Sequence, residues 1–87
     1  MTKPKNKPKN RSGEHTLDLL KPHVELLGNN QAMLEGCRGV LYYDTQRIEI
    51  NLGKYRILFL GDDLSMTSLT GDDAVVTGNF FKIEFEF

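Results

Sequence analysis

From residue 23 to the last residue, apolar and polar positions alternate in short bursts, and nowhere do they recur at helical spacing over a useful length. The bursts are rich in β-branched and aromatic residues and are separated by Gly, Asp and Asn, which is the pattern of strands and turns. It predicts strands at His23 to Leu27, Gln31 to Glu35, Gly39 to Tyr43, Arg47 to Leu52 and Tyr55 to Leu60. A weaker run, Leu64 to Leu69, and a short one, Ala74 to Thr77, follow before Phe81 to Phe87 alternates to the chain end. Tyr55 to Leu60 is apolar on both faces, which marks a central strand. In the last run, Phe81, Ile83, Phe85 and Phe87 are expected to face inward.

The glycines punctuate this pattern. Gly28, Gly39, Gly53, Gly61 and Gly78 are the expected structural turn residues, and Gly53-Lys54 reads as a two-residue hairpin loop. Turns at Gly61-Asp62-Asp63 and Gly71-Asp72-Asp73 lie ten residues apart, a hairpin spacing too short for a typical solenoid coil. The expected fold is all-β: an antiparallel meander of about seven short strands forming a small sandwich or roll.

Residues 1–15 differ from the rest. Lys-Pro-Lys-Asn occurs twice, and nothing apolar follows until the domain begins, so a disordered basic tail is expected there and one small β domain over 16–87. Thr16 to Lys21 permits one helical turn, stopped by Pro22. Net charge is −1, but Lys3, Lys5, Lys7, Lys9 and Arg11 stand without an acid among them, while the other six bases meet all twelve acids. The tail suits an anionic surface, membrane or nucleic acid, and the acidic body argues against nucleic acid. With 87 residues the chain has no room for a Rossmann domain, a TIM barrel or a kinase. Its longest fully apolar run is Ile57 to Leu60, so a cytoplasmic protein is expected, or one held at a membrane from outside the bilayer.

Candidate chemistry is sparse. Cys37 beside Arg38 would be a reactive thiol if the guanidinium lowered its pKa, but a small residue at the start of a strand is the plainer use. Asp62-Asp63 and Asp72-Asp73 would bind calcium only if their loops lay side by side, and turn chemistry explains them first. One cysteine and two scattered histidines do not make a zinc site. No catalytic, cofactor or metal residues are therefore assigned. Tyr42, Tyr43 and Tyr55 would stack on bases if the protein were a small nucleic-acid-binding β-barrel, the alternative reading of the tail. If the strand carrying Phe81, Ile83, Phe85 and Phe87 is an edge, it offers a backbone row to a partner or to a second copy of the chain.

The order of the pieces resembles the YabP/YqfC family of sporulation proteins, and the YqfC branch more closely. Pro22 with alternating apolar residues to Gly28-Asn29 opens the pattern. Glu35, Arg38 and Gly39 precede Val40-Leu41-Tyr42-Tyr43. Arg47-Ile48-Glu49-Ile50, Gly61-Asp62-Asp63-Leu64, Gly78 and Ile83-Glu84-Phe85 follow in order. Gly36-Cys37 stands where the family usually has a polar or aromatic pair. The resemblance implies a non-catalytic role in the mother cell, at the membrane around the forespore. Its implied partner is a sporulation membrane protein, YqfD-like or YabQ-like.

Overall fold

The structure, a computed structural model, describes residues 21–87. The basic tail and most of the turn expected at Thr16 lie outside the described residues. Six strands form one antiparallel sheet: β1 (His23–Leu27), β2 (Gln31–Glu35), β3 (Gly39–Tyr43), β4 (Arg47–Asn51), β5 (Arg56–Thr70) and β6 (Asp73–Glu86). Their order is β1-β2-β6-β5-β4-β3. The described residues are all-β as expected, but two features of the meander change.

First, β3 to β6 run as a meander while the β1–β2 hairpin pairs on the far side of β6, through Gln31 to Leu34 against Ala74 to Thr77. Second, Gly61-Asp62-Asp63 and Gly78-Asn79 do not turn the chain. They lie inside strands of 15 and 14 residues, where the β5–β6 register breaks. Gly61 and Gly78 are therefore kink residues rather than turn residues, and Gly39 opens β3. Gly28 and Gly53 do sit in the β1–β2 and β4–β5 turns.

The kinks fold the long hairpin in half. A straight strand of 15 residues would span about 50 Å at roughly 3.3 Å per residue. Yet Cys37 N–H donates to the Asp72 carbonyl at the hairpin tip (2.8 Å), and the next residue, Arg38, donates to the Asn51 carbonyl (2.7 Å). Asn51 pairs with Arg56 at the hairpin base. Tip and base thus lie one residue apart along the β2–β3 connection. The single sheet closes on itself as a small sandwich. One half is β3, β4, residues 56–60 of β5 and 82–86 of β6. The other is β1, β2, residues 73–77 of β6 and 65–70 of β5.

The short hairpins brace the kinks. The Gly61 and Leu64 N–H groups donate to the Gln46 and Thr45 carbonyls of the β3–β4 turn, and those of Gly78 and Phe80 to Asn30 and Asn29 of the β1–β2 turn. Both inner faces then meet in one core of Ala32 and Leu34, Ile48, Ile50 and Leu52, Ile57, Phe59 and Leu64, and Ala74, Val76 and Phe80. On the outer face, Leu58 is also buried. It pairs across from Glu49 and Glu84, so the second apolar face of β5 is covered by long charged side chains rather than by another layer.

Candidate interaction surface

β6 carries the residues expected to bind a partner, and its geometry differs from simple alternation. Leu60 pairs with Lys82 but Gly61 pairs with Phe80, so Phe81 is an extra residue at a bulge. The bulge shifts the inward set by one. Phe80 takes the core position against Phe59, with ring centroids 5.2 Å apart, and Phe81 is 73% exposed. Ile83 packs on the core as expected, and Phe85 is half-exposed. Phe87 is 97% exposed, which corrects the inward reading of both Phe81 and Phe87. Phe85 and Phe87 instead sit against Tyr55, with centroids at 5.8 and 5.3 Å.

The backbone of this segment has one free side. β5 flanks β6 along its length, but β2 stops at Thr77. Among the described residues no strand pairs with the other side of Phe81 to Glu86. A shallow groove runs beside it, lined by Leu26, Gly28, Asn29, Phe81 and Ile83. Leu26 is itself half-exposed. The groove lies between β1, an edge strand, and the end of β6, which has no strand partner on that side among the described residues.

The charged residues nearby are mostly spent on each other. Arg47 pairs with Glu49, Arg56 reaches Glu49 at 3.8 Å and Glu86 at 2.9 Å, and Lys82 meets Glu84 at 3.0 Å. The tyrosines are taken up as well. Tyr42 donates to Asp44 Oδ2 at 2.7 Å, with the Arg47 guanidinium over its ring. The Tyr43 hydroxyl accepts from Met66 N–H at 2.9 Å. Tyr42 pairs with Glu49 and Tyr43 with Ile48, so these neighbours point to opposite faces and form no common stacking platform.

Cys37 is not placed for reactivity. Burial first, then the carboxylates of Asp73 and Asp72, push its thiol above the ordinary range, so the neighbouring guanidinium does not activate it. Asp62-Asp63 lie at the β5 kink and Asp72-Asp73 at the hairpin tip. Among the described residues, no three His, Cys, Asp or Glu side chains come together as a metal site. No described helix is long and apolar enough to cross a membrane.

Three bases that sequence reading did not group, Lys21, Arg38 and Lys54, border one pocket with Tyr55. They come from three separate segments, so no spacing along the chain announces them.

The model of the YabP family matches residues 19–86. No curated protein and no solved structure matches the chain.

Proposed function

The chain belongs to the YabP family, and from that premise we propose that it is a non-catalytic β adaptor that docks on a sporulation membrane protein. Membership makes it a sporulation-related protein; the docking role is our reading of the surface. The observation that supports it is the free side of β6 from Phe81 to Glu86, bordered by exposed Phe81, Phe85 and Phe87 and by Leu26. An extended partner segment added there would gain main-chain hydrogen bonds, and its alternate side chains would enter the groove. The expected partner is YqfD-like or YabQ-like, on the mother-cell side of the membrane around the forespore. The basic tail adds electrostatic attraction to an anionic leaflet.

The test is imaging of the tagged full chain during sporulation, with and without the candidate membrane partner. A signal at the forespore membrane that disperses when the partner is deleted, and also in Phe81→Asp, is the expected result. Phe81 lies outside the core, so that variant should remain folded by circular dichroism. A diffuse or nucleoid signal in both strains overturns the adaptor reading.

A further inference from the structure

The basic residues of the folded domain divide into two sets. Arg47, Arg56 and Lys82 are paired with Glu49, Glu86 and Glu84 on the outer face. The other three, Lys21, Arg38 and Lys54, border one half-open pocket of about 740 Å³, with Pro22, Leu52 and Tyr55 as its apolar wall and, among the described residues, no carboxylate in its lining. That volume is in the range of small-molecule sites. We propose that this pocket binds the phosphate head of an anionic ligand whose apolar body rests on Tyr55, Leu52 and Pro22.

The charge distribution is the first argument. This domain is acidic outside its tail, yet three of its bases border one concavity that no described carboxylate lines. An arginine fork can hold two phosphate oxygens while the lysines act as point charges. Pre-organisation is the second. Asn51 holds both walls: its carbonyl accepts from Arg38 N–H at 2.7 Å, and its side-chain oxygen accepts from Gly53 N–H at 2.9 Å. The Arg38 guanidinium lies over Gly53, where an added Cβ would stand 3.7 Å from Cζ, next to Lys54. Pro22, which sets Lys21, is seated over Gly36, where a Cβ would come within 3.1 Å of its Cα.

The phosphate could belong to a lipid headgroup or to a soluble compound, and the experiment separates them. The isotope-labelled full chain is titrated with sn-glycerol 3-phosphate. In parallel it is titrated with phosphatidylcholine vesicles with and without phosphatidylglycerol. Saturable binding that shifts the amides of Arg38 and residues 53–55 is expected from at least one anionic probe. Arg38→Gln and Lys54→Gln should each weaken it about fivefold, while Arg47→Gln, an equal charge change outside the pocket, should leave it within about twofold. Lys54 sits in an exposed turn, so its variant keeps the test valid if Arg38→Gln fails to fold. Binding to the anionic vesicles alone assigns a membrane headgroup. Binding to glycerol phosphate, with or without vesicles, assigns the phosphate group itself. No binding to either probe, or an equal loss in Arg47→Gln, overturns the proposal. Because Phe81 lies outside the pocket, Phe81→Asp should bind the probe normally, which separates this site from the docking edge.

Discussion

At Gly61 an added Cβ would overlap the carbonyl oxygen of Asn79, and at Gly78 it would meet the Asp63 carbonyl at 2.7 Å with φ already at +140°. Both positions exclude side chains because two backbones cross there. Gly61→Ala should therefore cost about 3 kcal/mol, a large share of the stability of a domain this small. Gly71→Ala, at a hairpin tip with open space around it, bears only the cost of its positive φ and should lose about 1 kcal/mol. Urea unfolding of the two variants measures the difference. Asp44 is a second residue with a defined signature. Its carboxylate accepts from Gln46 N–H, from Tyr42 and from Arg47 N–H, and these bonds hold its pKa below the ordinary 3.8. The folded state thus binds the proton less tightly than the unfolded chain. The resulting stability is present above about pH 3.8 and is lost as pH falls through the lowered folded value. Asp44→Asn should be less stable than wild type at pH 7, and the gap should close in acid. Urea midpoints that differ equally at pH 7 and pH 2 would contradict this.

Among the elements, β6 shows how a single bulge redistributes burial. Strict alternation from Phe81 to Phe87 is present in the sequence, yet the core receives Phe80, because the extra residue at Phe81 shifts the register. Phe80→Ala should lose about 3 kcal/mol through a cavity beside Phe59, while Phe81→Ala should change stability by less than about 0.5 kcal/mol. Thermal unfolding distinguishes them, and equal losses would refute the bulge assignment. The first four strands were legible because each is short and bounded by turn residues. The last two were not. Gly-Asp-Asp and Gly-Asn have the composition of turns, and composition does not separate a turn from a kink that stays paired.

For the whole molecule, the decisive event is the folding of the β5–β6 hairpin onto itself. It brings the β2–β3 connection, the β4–β5 turn and the residues before β1 together, and with them Lys21, Arg38 and Lys54. It also leaves two strand halves with one-sided pairing, among them the end of β6 that we assign to docking. The sequence by itself determined the all-β class, the first four strands, the split between basic tail and acidic body, and the family, since these depend on local period, composition and residue order. The strand order, the kinks, the core position of Phe80 and the basic pocket were decided only by tertiary structure. Each depends on which segments meet across the fold, and that is set by burying both faces of one sheet in a common core, a constraint no local window of sequence contains.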